Sequence, residues 1–245
     1  MNSDDYIKEL VRNFWEYQKT EFHDLKECFE YPEQKNNRPP VFKKEFAHLN
    51  IIIDPIATDD IRKSIENEIQ VKERHRWFGS MKSSQALAQS VFGNLKAHGS
   101  LHYLEGLNDD FRIPLFEPVR IKPENFQMEF SVNYLGEPRS TSIDAMVVGD
   151  YKIAIECKFT EQEVGPCSRP GLKPTASNYN KSYCNGSYAK QLDRSSECSL
   201  TNGGVSYWDY VPSLFKWRND IVHNPCPLHK NYQLVRNVLA ACIKK

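Results

Sequence analysis

Residues 142–161 read SIDAMVVGDYKIAIECKFTE, with Asp144 near one end and Glu156 and Lys158 near the other. Gly149-Asp150 supplies a turn between two apolar runs, so Ser140–Val148 and Lys152–Phe159 are predicted as the strands of a β-hairpin. Side chains alternate along a strand, so Ile153, Ile155 and Cys157 share one face while Ala154, Glu156 and Lys158 share the other. A Glu and a Lys two apart on an otherwise apolar strand are costly to bury unless they are paired or bind a cation. Pairing of Val148 with Lys152 sets Asp144 directly across from Glu156, with Cβ atoms about 4.5–5.5 Å apart. A two-residue Gly149-Asp150 turn would instead shift the register and put Asp144 on the wrong face, unless a bulge at Gly149 restored it. In the first register the two carboxylates repel unless a divalent cation sits between them, and Mg²⁺ or Mn²⁺ prefers such oxygens. The chemistry then fits phosphodiester hydrolysis. Asp144 and Glu156 hold the metal, the metal acidifies a water and neutralises phosphate, and Lys158 positions the nucleophile or stabilises developing charge.

Working outward, Phe126–Tyr134 alternates apolar and polar residues and enters a turn at Leu135-Gly136-Glu137-Pro138, which predicts a preceding strand carrying Glu129. Upstream, Ser83 and Ser84 can cap a helix whose Leu87, Val91 and Leu95 form its apolar stripe, with Gln85 and Gln89 on the opposite face. Gln85 is either a contact for a metal-bound water or phosphate, or a plain surface residue. A helix capped by Thr58 is predicted to run to about Lys72, and another from Asp4 to about Phe29. Downstream, Tyr232, Val235, Leu239 and Cys242 give the buried stripe of a closing helix, Leu228–Ile243. Gln233 and Asn237 share a face of that helix, with Arg236 nearby.

A chain of 245 residues, 40% hydrophobic, can bury one sizeable core. It lacks an apolar run long enough for a membrane span, and its acidic start, MNSDDYIKEL, builds no apolar leader. A reducing cytoplasmic setting is therefore expected, in which the seven cysteines serve as core residues or metal ligands rather than disulfide partners. The formal net charge is zero, yet residues 1–165 hold 21 basic against 28 acidic side chains and residues 166–245 hold 11 against 4. That segregation gives the C-terminal part a positive field able to hold a phosphate backbone, or simply a basic surface with no partner.

Asp144, eleven intervening residues, then Glu156-Cys157-Lys158 resembles the PD-(D/E)XK nuclease superfamily, with Ile143 in place of the usual proline before the Asp. The likeness to its restriction-endonuclease-like branch extends over roughly residues 75–245 through Ser83-Ser84-Gln85, Glu129 and the helix bearing Gln233. It implies an α/β fold with a mixed central β-sheet flanked by helices, and Mg²⁺-dependent cleavage of DNA, in restriction or other defence against foreign DNA. Glu129 would be a third metal carboxylate or a solvated acid. Gln233, or alternatively Gln191, would approach the scissile phosphate as the Gln of a Q-x-x-x-Y helix does, although Asn237 stands at the Tyr position. The expected organisation is an N-terminal helical extension (1–75) and a nuclease domain (76–245), containing a cysteine-bearing insertion (165–227) and a C-terminal helix (228–245). A non-catalytic nucleic-acid-binding or scaffold protein on the same fold is the rival reading, and a nuclease acting on RNA a third. Symmetric double-strand cleavage would favour a homodimer.

The insertion is rich in Gly and Pro and needs something to hold it. Cys167, Cys184, Cys198 and Cys226, separated by 16, 13 and 27 residues, can supply thiolates to a structural Zn²⁺ or a [4Fe–4S] cluster, with His223 and His229 as substitute ligands, or stay uncoordinated. Cys28, Cys157 and Cys242 read as core. The aromatic cluster Tyr207, Trp208, Tyr210, Phe215 and Trp217, beside Lys216 and Arg218, can stack exposed bases or fill the core.

Overall fold

The computed structural model describes residues 2–34, 37–115, 119–149, 152–161, 163–177, 179, 184, 186, 198–215 and 226–243. Their helices are α1 (Ser3–Glu21), α2 (Asp59–Asn67), α3 (Ser84–Ala97), α4 (Ser199–Asn202), α5 (Tyr207–Leu214) and α6 (Pro227–Cys242), and their strands are β1 (Phe126–Val132), β2 (Thr141–Val147) and β3 (Ile153–Ile155). Helices and sheet together are consistent with an α/β chain. None of the described helices is long and apolar enough to cross a membrane. The chain divides into two compact units, Met1–Glu129 with Cys157–Thr160, and Phe130–Glu156 with Glu161–Lys245.

The sheet order is β1-β2-β3. β2 and β3 are antiparallel, and the eight residues from β1 to β2 are too few for a parallel crossover. Among the described residues the expected mixed sheet is thus not met, the described elements after β3 being a 3₁₀ turn and helices.

In the first unit the predicted caps are in place. Thr58 Oγ1 accepts from the Ile61 amide at 3.4 Å and Ser83 Oγ from the Ala86 amide at 3.2 Å. α1 and α2 are shorter than expected, because the chain passes into 3₁₀ turns at Lys26–Cys28 and Val71–Glu73. α3 corrects its predicted orientation. Its buried residues are Gln85, Ala86, Ala88, Gln89, Ser90, Phe92 and Gly93, whereas Val91 is exposed and Leu87 and Leu95 are half-buried. Small residues win over the larger apolar stripe because they allow close helix packing: a Cβ on Gly93 would meet Ile65 Cγ2 at 2.9 Å. Gln89 then completes the interface. Its Nε2 donates to the carbonyls of Ile65 at 2.7 Å and Glu66 at 3.1 Å, both in the last turn of α2.

The second unit is built on Val132, Leu135, Ile143, Met146, Tyr207, Val211, Val235 and Leu239. The predicted turn after β1 docks closely on the start of α5. Leu135 O accepts the Ser206 amide at 2.9 Å, and Gly136, at φ +74°, approaches so near that an added Cβ would stand 2.0 Å from Gly204 O. Glu137 accepts hydrogen bonds from the hydroxyls of Tyr207 and Tyr232. Burial, reinforced by that carboxylate, pushes the Tyr207 hydroxyl well above the ordinary phenol range. Tyr207 is therefore a core residue and no base-stacking platform, while Trp208, Tyr210 and Phe215 are half-buried. Cys28 is buried as expected, but Cys157 is half-buried and Cys242 is exposed, since α6 turns Leu239 and Ala240 inward instead.

Candidate active site on the hairpin

The hairpin register is Ala145 opposite Ile155, Met146 opposite Ala154 and Val147 opposite Ile153. Carried one residue further, it sets Asp144 across from Glu156. It is the register obtained by pairing Val148 with Lys152, and the shift expected from a two-residue turn does not occur; Asp150 itself lies outside the described residues. Residues directly opposed across antiparallel strands share a face, so Asp144 and Met146 go with Ala154 and Glu156. Ile143, Ala145 and Val147, all buried, take the other face.

Helix α6 packs on β3 and completes the surroundings of Glu156. Gln233 Nε2 donates to Glu156 Oε1. One turn on, Asn237 Nδ2 donates to Oε2 at 2.8 Å, as an i, i+4 pair on one helix face can. Arg236 Nη2 stands 3.9 Å from Oε2, and the two side chains are only 9% and 11% exposed. The guanidinium is itself fixed through Nη1 to Thr141 Oγ1, Nη2 to Ser142 O at 3.3 Å, and Nε and Nη2 to Asn237 Oδ1 at 3.1 and 3.0 Å. The Gln233 amide donates to Gly165 O at 3.2 Å. Gly165 has φ +66°, and a Cβ there would reach Gln233 Oε1 at 2.5 Å and Cβ at 2.9 Å.

Glu129 and Lys158 fall in the first unit. Glu129 has φ +48° inside β1, a left-handed conformation rare for a residue with a side chain and costing about 1–3 kcal/mol. Its Oε1 accepts from Gln85 Nε2 at 2.7 Å. Gln85 is buried, which corrects the reading as a plain surface residue, and its remaining bonds are Nε2 to Glu73 O at 3.2 Å and Oε1 from the His75 amide at 2.7 Å. Lys158 is exposed. Gln191, His223, Lys216, Trp217 and Arg218 lie outside the described residues.

The clamp on Glu156 by Gln233, Asn237 and Arg236 was not foreseen. The signal was present as a helix whose Gln and Asn recur four apart beside an Arg. A polar patch of that kind suits a phosphate as well as a protein carboxylate.

Two in-register carboxylates, one oriented by amide donors, form a hard oxygen donor pair suited to Mg²⁺ or Mn²⁺. Among the described residues no three of His, Cys, Asp and Glu are grouped to hold a metal ion, so an ion on this pair would complete its coordination largely with water. Neither the curated proteins nor the solved structures searched yield a match. The sequence profile of a family described as Restriction Endonuclease associating with ARP matches residues 10–245, beginning inside α1 and so taking in the region left out of the sequence resemblance. With nearly its whole length inside that match, the chain belongs to the REase-ARP family.

Proposed function

We propose that this chain is a divalent-metal-dependent nuclease that hydrolyses phosphodiester bonds of DNA, with a PD-(D/E)XK-type site on a restriction-endonuclease-like fold. The observation that carries the reading is the register that sets Asp144 across from Glu156, and family membership supports a nuclease. A role in restriction or defence, and a homodimer for double-strand cleavage, follow from the same reading. Asp144 and Glu156 would hold Mg²⁺ or Mn²⁺, with water completing the coordination. When bound, the cation supplies Lewis acidity toward water and phosphate. Gln233 and Asn237 keep the Glu156 carboxylate in one orientation, and Arg236 offsets its charge. Lys158 brings a positive charge to the phosphate as negative charge develops there.

The test is to incubate the full chain and its Lys158→Ala variant with supercoiled plasmid, linear duplex, single-stranded DNA and RNA, in Mg²⁺, Mn²⁺ or EDTA. DNA cleavage that needs the metal and disappears in the variant is expected. Cleavage in EDTA, activity undiminished by the variant, or salt-sensitive DNA binding without cleavage would overturn the assignment, the last in favour of a binding module. Preference for RNA would reassign the substrate.

Gly165→Ala tests the support for Glu156 from behind. The left-handed φ and the contact with Gln233 require that side chain to shift, loosening its bond to Glu156. Loss of such an orienting contact typically costs 10–100-fold in activity, so a drop of about that size in metal-dependent cleavage is expected. A folded variant, checked by circular dichroism, cleaving at the parent rate would show that Gln233 does not orient the carboxylate.

A further inference from the structure

The four cysteines of the loop-rich segment converge in the second unit. Cys167, Cys184, Cys198 and Cys226 line one small cavity of about 20 Å³, together with Arg169 and His229. Their loops are tied by short backbone bonds: the Cys167 amide to His229 O at 2.7 Å, the Cys226 amide to Gly186 O at 2.6 Å, and the His229 amide to Cys226 O at 2.7 Å.

At one of these cysteines the Gly186 amide donates to Cys184 Sγ at 3.4 Å, and an amide directed at sulfur favours the thiolate over the thiol. A second observation is independent of the sulfurs: His229 Nδ1 is buried without a hydrogen-bond partner beside the same cavity. Buried polar atoms are ordinarily satisfied, and a thiolate next to this nitrogen would satisfy it.

We infer that Cys167, Cys184, Cys198 and Cys226 form a tetrathiolate site for a single Zn²⁺ ion that staples the segment between the active-site hairpin and α6. Four thiolates around one small cavity make up the tetrahedral donor set of a structural zinc site. As the side chains stand, they are not grouped at metal-holding distance, so binding draws the sulfurs inward to about 2.3 Å from the ion. Burial, together with the neighbouring thiols, pushes the Cys226 thiol up to about 11 and raises that of Cys167. Zn²⁺ loading displaces the protons of these two thiols. Arg169, on the cavity wall, offsets the negative charge that four thiolates leave around one divalent ion.

The experiment uses the full chain, purified without chelator, and is independent of nuclease activity. Elemental analysis is expected to give one zinc per chain, released by a thiol-specific mercurial. Cys198→Ser and Cys226→Ser are expected to lose it, while Cys242→Ser, at an exposed position, retains it. Because the ligand variants can misfold, the wild-type chain is also stripped and reloaded with Co²⁺, expecting a thiolate-to-cobalt charge-transfer band and a tetrahedral visible spectrum. A metal-free chain that gains neither zinc nor the cobalt spectrum would overturn the site. Iron with acid-labile sulfide would overturn the single-ion assignment.

Discussion

Asp144→Asn is expected to cut metal-dependent DNA cleavage by about 10²–10³-fold or more, while leaving the melting temperature close to that of the parent. The substitution keeps the size and shape of a half-buried side chain and replaces one charged oxygen by an amide nitrogen, which cannot bind a cation. What changes is the charge on the hairpin face where the β2–β3 register, continued one residue past Ala145 and Ile155, sets Asp144 across from Glu156. Restoring activity with a higher concentration of Mn²⁺ would identify the loss as one of metal affinity. Full cleavage by Asp144→Asn in low Mg²⁺ would remove the carboxylate pair from the chemistry. A parallel fall in melting temperature and activity would instead make Asp144 a fold residue.

The second large effect concerns stability. Arg236→Ala removes a guanidinium that reaches Thr141, Ser142, Asn237 and Glu156 from a site only 9% exposed. The apolar area lost is modest. The larger cost is a Glu156 carboxylate, 11% exposed, deprived of its nearby cation, and a Ser142 carbonyl and Asn237 oxygen deprived of donors. Breaking a buried ion pair from one side costs about 3–5 kcal/mol, or roughly 10 °C in melting temperature for a protein of this length. Adding Glu156→Gln to Arg236→Ala should recover part of the loss, because the uncompensated charge is then gone. A single variant within about 1 kcal/mol of the parent in denaturant unfolding would show that Glu156 does not depend on Arg236.

The hairpin was legible in the sequence because two period-two runs flank a turn, and because only one register places Asp144 and Glu156 together. The caps at Thr58 and Ser83 were legible for a similar reason: each lies immediately before its helix and its hydroxyl acts locally. α3 was misread because hydropathy ranks Leu87 and Val91 above Gln85 and Gln89. Its partner surface presents helix-end carbonyls and Ile65 at close range, where amides and a glycine fit and a larger side chain does not. The same bias hid the Glu156 clamp, since a Gln and an Asn on a helix carry no signal of what they will bond across 77 and 81 residues. Glu129 was located on its strand, but a positive φ in mid-strand has no sequence signature when the residue is not glycine.

That separation along the chain also has a consequence in time. Synthesis proceeds at about 5–20 residues per second, so the 77 residues between Glu156 and Gln233 take roughly 4–15 s to add. During that interval a nascent chain carries both hairpin carboxylates without the helix that orients one of them. A product that stops before α6 has the acidic residues of the site but not its order. Under the proposed function, competence arrives late in synthesis, when the helix docks.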